Sequence, residues 1–262
     1  MLTSDFKLLA CRLPMIKIGA SGWHYRHWRG PFYPQHCSTA CMLDFYSRHF
    51  DTVEINNSFY RLPEPETFDL WRKQTPPGFQ FAVKASRFIT HNKKLADPDS
   101  ALESFLPRAA RLREKLGPIL FQLPPKWNVN VPRLEQFLAA LPKGNRWRYA
   151  FEFRNPTWLA TEVYAVLRRY GAAFCIFDLA GFQTPLELSA EWSYVRLHGP
   201  GGKYQGSYSN VQLRLWAKRL RAWARKLKTV YIYFDNDQAG YAAQNAQQLR
   251  KLLTTSDHKN IG

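Results

Sequence analysis

Acidic residues are in short supply in this sequence. Twenty Asp and Glu stand against thirty-seven Lys and Arg, a formal net charge of +17 over 262 residues. That excess argues against cationic partners, favours polyanions or small anions, and says nothing of fold. Cysteine is scarce too, with only Cys11, Cys37, Cys41 and Cys175. Without a second ligand pair at zinc-site spacing they do not make a structural metal site, even with His36 beside Cys37. Cys37 and Cys41 are expected as two free thiols near a helix start, and Cys175, inside an apolar run, as a buried one. No apolar run is long enough to cross a bilayer. The stretch from Leu8 to Cys11 is too short for a signal peptide, so a cytoplasmic protein with no membrane partner is expected. Internal repeats and low-complexity segments are missing. So is a glycine-rich phosphate turn, since Gly19-Ala20-Ser21-Gly22 has two glycines without the dinucleotide spacing.

What is present is a large supply of core. Hydrophobic residues make up 45% and aromatics 15%, which excludes disorder of the whole chain. Eight short strands, rich in β-branched and aromatic residues, are read at 16–19, 53–56, 79–85, 119–123, 149–153, 172–177, 194–198 and 230–234. Helical patterns fall between them at 65–74, 100–116, 131–141, 160–170, 211–227 and 242–253. The helix at 100–116 is expected to stop at Gly117-Pro118. In 211–227, Leu213, Trp216, Leu220, Trp223 and Leu227 form one buried stripe. The segment 181–190 is too short and too proline-broken for a full helix. Alternating strands and helices imply parallel pairing with crossovers. The expected fold is therefore α/β, a single (β/α)8 TIM-like barrel with the helix after strand six short or missing. One domain spans 1–262, with its core at about 16–253, a short N-terminal extension and a frayed polar tail. An open doubly wound sheet is the alternative.

Barrel enzymes place their chemistry at the C-terminal ends of the strands. Here those ends carry Trp23, then Glu54 and Asn56, then Lys84, Gln122, Glu152 with Arg154, Asp178, Arg196 with His198, and Asp235 with Asn236. Period-two alternation puts Glu54 and Asn56 on one face, as it does Glu152 and Arg154, and Arg196 and His198. Charges facing a barrel interior are costly unless paired or solvated at the mouth. The candidate catalytic residues are Glu54, Glu152, Asp178 and His198. The candidate substrate-binding residues are Trp23, Asn56, Tyr60, Lys84, Gln122, Arg154, Arg196, Gly199, Lys203 and Asn236. The loop His198-Gly199-Pro200-Gly201-Gly202-Lys203 reads as a backbone cradle for an oxyanion, with a flexible turn as the plain alternative. Trp23, Trp28, Tyr60 and Trp158 could stack on a sugar or base, or simply pack. The stripe Arg214, Lys218, Arg221, Arg225 and Lys228 reads as a solvated helix exterior. No cofactor is assigned. A divalent metal on Glu54, Glu152, Asp178, His198 and Asp235 stays open as an alternative, with Lys84, Arg154 and Arg196 competing for the same carboxylates.

As a set and in order, the motifs resemble those of the YecE-like family, also called domain of unknown function seventy-two. They are Gly22-Trp23-x-Tyr25-x-x-Trp28-x-Gly30-x-Phe32-Tyr33-Pro34, Thr52-Val53-Glu54-Ile55-Asn56 with Phe59-Tyr60-Arg61, Phe81-x-Val83-Lys84, Ile89-Thr90-His91, Gln122-Leu123-Pro124-Pro125, Phe151-Glu152-Phe153-Arg154, Arg196-Leu197-His198-Gly199 and Phe234-Asp235-Asn236-Asp237. Three positions depart from the family pattern: Ala20 where threonine is common, Asn155 where histidine is common, and Asp235 where asparagine is common. The resemblance implies a β/α barrel similar to that of endonuclease IV, without that enzyme's histidine-rich metal set, and implies no particular activity.

Three functions compete at this level. The first is a hydrolase-like enzyme acting on an anionic small molecule that bears phosphate or carboxylate. The second is a nucleic-acid binder or nuclease, which would bind more weakly as salt rises. The third is a small-molecule sensor or scaffold without turnover. The oligomeric state is left unknown.

Overall fold

A computed structural model of the chain describes residues 15–144 and 146–254. Nearly all of the expected N-terminal extension, Cys11 included, and the expected tail lie outside the described residues. Eight parallel strands form the barrel: β1 Met15–Ala20, β2 Thr52–Ile55, β3 Gln80–Lys84, β4 Leu116–Leu123, β5 Tyr149–Phe153, β6 Ala173–Leu179, β7 Trp192–Leu197 and β8 Thr229–Phe234. They neighbour one another in the order β1-β8-β7-β6-β5-β4-β3-β2. A two-residue strand, Phe182–Gln183, folds antiparallel onto the end of β6. Among the described residues no helix follows β6, as its proline-broken sequence implies.

The ring is nearly closed, and its seam lies between β1 and β2. Just past β1, the Ser21 backbone forms a single bridge with that of Glu54 in β2. Within the seam the Tyr46 hydroxyl stands in for the ladder. It accepts from the Ala20 N–H at 2.7 Å and donates to the Thr52 carbonyl at 3.1 Å. Gly19 lets the two backbones come this close, because a Cβ there would overlap the Thr52 carbonyl oxygen.

Helices α1 Met42–His49, α2 Pro65–Gln74, α3 Pro98–Glu103, α4 Leu106–Ala110, α5 Val131–Ala140, α6 Thr161–Arg169, α7 Asn210–Ala224 and α8 Tyr241–Thr254 surround the strands. Two apolar cores result. The larger lies between strands and helices and takes the α7 stripe of Leu213, Trp216, Leu220 and Trp223. The smaller fills the barrel with Ala82, Leu120, Ala150, Ala173, Cys175, Trp192, Tyr194, Tyr231 and Tyr233. Their separation follows from strand alternation, odd and even positions facing opposite ways.

Two local expectations are corrected. The single helix at 100–116 is split into α3, α4 and a 3₁₀ turn at Arg113–Lys115. Pro107 opens α4, where its missing N–H is harmless, and cannot sit inside one continuous helix. Gly117, read as a helix stop, instead lies inside β4, where a Cβ would press on the Phe81 carbonyl of β3. Cys37 and Cys41 are joined in a disulfide rather than free, with their Cα atoms 6.1 Å apart. Cys175 is the buried free thiol expected.

Candidate active site at the C-terminal mouth of the barrel

The alternation that fills the barrel also delivers its charges. On β7, Trp192 and Tyr194 face inward, so Arg196 and His198 follow on the same side. On β8, Tyr231 and Tyr233 lead to Asp235. On β5, Ala150 leads to Glu152 and Arg154; on β3, Ala82 leads to Lys84. At the centre sits Arg196, fully buried. Its Nη2 donates to Glu54 Oε1 at 2.7 Å and to Asp235 Oδ2 at 2.9 Å, and its Nη1 to Glu152 Oε2 at 2.8 Å. Glu54 takes a further bond from the Tyr194 hydroxyl at 2.6 Å. Arg154 Nε pairs with the other oxygen of Glu152, and its guanidinium lies 4.7 Å from the Phe177 ring centre.

His198 is held at both nitrogens. Nδ1 lies 3.0 Å from Asp235 Oδ2 and Nε2 lies 2.9 Å from Arg154 Nη2. A guanidinium only donates, so the network assigns the imidazole hydrogen to Nδ1 and makes Nε2 an acceptor. Asp235 therefore orients the ring, and Arg154 caps the nitrogen that would act as a base.

Burial opposes each of these charges, and pairing overrides it. Burial pushes the Glu152 carboxyl up, but Arg154 and Arg196 beside it hold it well below the usual carboxylate range. Asp235 is also held down, burial being outweighed by Arg196 and His198. Arg196 is pushed above its ordinary value, because Glu54, Glu152 and Asp235 outweigh its desolvation.

Lys84 is different. It keeps 7% of its surface, lies with its ammonium 4.4 Å from the centre of the Phe59 ring, and has no carboxylate within ion-pairing distance. Burial and then Arg196 bring its pKa down to about 8, against a smaller upward pull from Asp235, Glu152 and Glu54. Next to it, His91 is lowered to about 4 by burial, Arg87 and Lys84; its ring centre is 5.1 Å from that of Phe59. Several polar atoms of this end are buried without a partner: Ser21 Oγ, Trp23 Nε1, Asn56 Oδ1 and Arg196 Nε.

The structure brings Glu54, Glu152, His198, Arg154 and Arg196 into one network, sets Asn56 just past the end of β2, and sets Gln122 on β4 in register with Glu152 of β5. Other candidates fall elsewhere. Phe177 faces the mouth, so Asp178 lies on the opposite side of β6, outside the ion-pair network; burial raises its pKa. Asn236 likewise turns away from the mouth, donating to Gly206 O and Asn245 Oδ1. Trp23, Trp28 and Trp158 are core residues, Trp23 packed edge-on against Trp71. Tyr60 is 81% exposed and rests on Phe59. Lys203 is exposed beside Tyr204.

The glycine loop folds on itself. Gly199 N–H donates to the Tyr208 hydroxyl, Tyr204 N–H to His198 O and Gly206 N–H to Gln238 Oε1, so those amides are not presented to an oxyanion. Tyr194 is a member that the sequence did not single out, and Asp235, read there only as a strand-end residue and possible metal ligand, joins it; the alternation through Tyr231 and Tyr233 points to Asp235. Among the described residues no group of three or more His, Cys, Asp or Glu is disposed to hold a metal ion. The donor set does not fit a divalent ion, because its carboxylates are turned to guanidinium groups.

A parallel eight-stranded barrel with an arginine-centred ion network at its C-terminal mouth defines the class. The chain matches, over residues 17–260, the family described as Protein of unknown function DUF72, and it belongs to that family. It is 29% identical over 270 residues to UPF0759 protein YunF of Bacillus subtilis, covering 91% of this chain and 95% of the relative. It is 33% identical over 147 residues to UPF0759 protein YecE of Escherichia coli, 56% of this chain and 51% of the relative. A solved DUF72 family protein of Thermotoga maritima superposes with a TM-score of 0.83 at 29% identity, over 91% of this chain and 99% of that one. One from Enterococcus faecalis reaches 0.77 at 20% identity, over 91% and 95%, and so supports the fold alone. No helix among the described residues is long and apolar enough to cross a membrane.

Proposed function

We propose that the protein is a hydrolase-like enzyme acting on a small phosphate- or carboxylate-bearing molecule bound over the C-terminal mouth. The observation that carries this reading is Lys84, the cation at the mouth that makes no ion pair with a carboxylate. A buried ammonium without a counter-ion is unfavourable, and an incoming anion relieves it. The unpartnered Asn56 Oδ1 and Ser21 Oγ, just past the ends of β2 and β1, supply neutral contacts. Exposed Arg61 and Arg87, on the segments that follow β2 and β3, add attraction from outside.

Hydrolysis needs a proton acceptor, and His198 is oriented for it by Asp235. Its Nε2 becomes free once Arg154 turns from it to the substrate anion. Glu152 then holds the site's second carboxylate, while Glu54 serves mainly to fix Arg196.

Calorimetric titration with inorganic phosphate, against chloride at equal ionic strength, tests the reading. Saturable binding that Lys84→Met weakens by about tenfold, the loss of one charge-assisted contact, is expected. Turnover across a panel of phosphate and carboxylate esters, abolished by His198→Asn, completes it. Phosphate binding no better than chloride, together with duplex DNA binding that falls steeply with salt and ignores Lys84→Met, would instead assign the positive charge to a polyanion surface.

A further inference from the structure

Three lysines are buried among the described residues: Lys17, Lys84 and Lys115. Two are tied down. Lys17 pairs with Asp51 at 3.1 Å and donates to Gly78 O, and Lys115 donates to Arg72 O at 2.7 Å and to Thr75 O at 2.5 Å. Lys84 has neither an ion pair nor an acceptor, only the Phe59 ring. Its surroundings are those of an activated amine: an apolar ring beside it, guanidinium groups across the mouth, and a place at the end of a barrel strand.

We propose that Lys84 is a nucleophile, and that the substrate of this mouth is an anionic aldehyde, ketone or 2-oxo acid with which it condenses to an imine. This rests on the reading of the mouth as a small-anion site, not on the hydrolytic step. The neutral amine's lone pair attacks the carbonyl carbon, and the displaced π pair goes to oxygen, which takes a proton. The carbinolamine then loses the proton on nitrogen and expels its hydroxyl, protonated, as water. Amine and carbonyl thus yield imine and one water, with no oxidant or reductant. Protonation of the imine restores the cation that the amine gave up, which the charges of Asp235, Glu152 and Glu54 favour from a distance.

The supply of neutral amine fits. A pKa of about 8 gives on the order of a hundredfold more free amine at neutral pH than an ordinary lysine. His91, neutral at that pH and sharing Phe59 with Lys84, is placed to relay protons; its Nδ1 is bonded to the Thr90 hydroxyl at 2.9 Å, which leaves Nε2.

The test is reductive trapping with sodium cyanoborohydride on the full chain, followed by peptide mass analysis. The probes are pyruvate and dihydroxyacetone phosphate, with propanal as the uncharged control. An adduct on Lys84 at about tenfold or more the level on Lys17, Lys115 and exposed Lys203 is expected, given the difference in free amine. Lys84→Arg removes the primary amine, so it should lose the adduct. An adduct spread evenly over lysines, or none, overturns the proposal. If phosphate still binds, the anion-site reading survives that failure. An adduct with propanal alone overturns the anionic-carbonyl assignment. Absent phosphate binding sinks the anion-site reading itself.

Discussion

Arg196 on β7 reaches across the barrel to Glu54 on β2, Nη2 to Oε1 2.7 Å, with neither side chain exposed. The same guanidinium holds Glu152 on β5 and Asp235 after β8, so one side chain ties four parts of the ring together. Replacing it leaves three carboxylates facing one another in a dry interior. Arg196→Met is therefore expected to lower unfolding free energy by about 3–5 kcal/mol, the cost of breaking a buried pair from one side. Urea denaturation of the two proteins measures it. A loss within experimental scatter would show that the network carries no stability.

The same network has a pH signature. Glu152 and Asp235 have folded pKa values below their unfolded ones. Their contribution to stability is therefore complete above the ordinary carboxylate range, about pH 4 to 5, and is lost as pH falls through the depressed folded values. Glu152→Gln should flatten the acid limb of the stability–pH curve. An unchanged acid limb would contradict the pairing.

Lys84 titrates in the opposite window. Its folded pKa, about 8, lies below its unfolded value of 10.5, so the unfolded chain holds more protons between the two. Stability should rise with pH across that interval and be flat in it for Lys84→Met, other lysines cancelling in the difference. The comparison is made by chemical denaturation of both proteins from neutral to alkaline pH. Parallel curves would place the Lys84 ammonium in an ordinary solvated setting.

Much of this was legible in the sequence, and the failures share a cause. Eight strands and the missing helix after β6 follow from apolar runs and proline, which act locally. Glu152, Arg154, Arg196 and His198 were placed by period-two alternation, which is also local. The same rule, applied from inside the strand, separates Asp235 from Asn236 and Phe177 from Asp178. Reading the strand end instead put the wrong member of each pair in the site. The pairing of Tyr194 with Glu54 joins residues 140 positions apart, which no local pattern encodes. The Gly199 loop looked like an anion cradle because composition shows which amides are available, not which are already bonded.

The seam of the barrel gives a prediction about closure. Tyr46→Phe removes the hydroxyl that satisfies Ala20 N–H and Thr52 C=O, leaving two buried backbone groups unpaired. A loss of about 1–3 kcal/mol is expected. Gly19→Ala should cost more, because its Cβ would strike backbone rather than a flexible side chain. Denaturation ranks the two variants, and faster amide exchange at Ala20 than elsewhere in β1 would locate the damage. A neutral Tyr46→Phe would mean that the strands re-pair directly.

Asp235 bears on ligand binding as well as on stability. Apart from His198, the mouth holds three carboxylates, Glu54, Glu152 and Asp235, against the three cations Arg154, Arg196 and Lys84. Asp235→Asn removes one negative charge and keeps a carbonyl oxygen for His198 Nδ1–H. The mouth then carries a surplus positive charge. At an effective dielectric constant of about 20, a unit charge about 10 Å from an anion is worth about 1.7 kcal/mol, so phosphate binding should tighten on the order of tenfold. Stability should fall at the same time, since Arg196 loses an ionic partner. Tighter phosphate binding with lower stability would identify Asp235 as the residue that sets the charge of the site. Weaker binding would mean that the Asp235–His198 pair itself positions the anion, and the charge balance would then not control affinity.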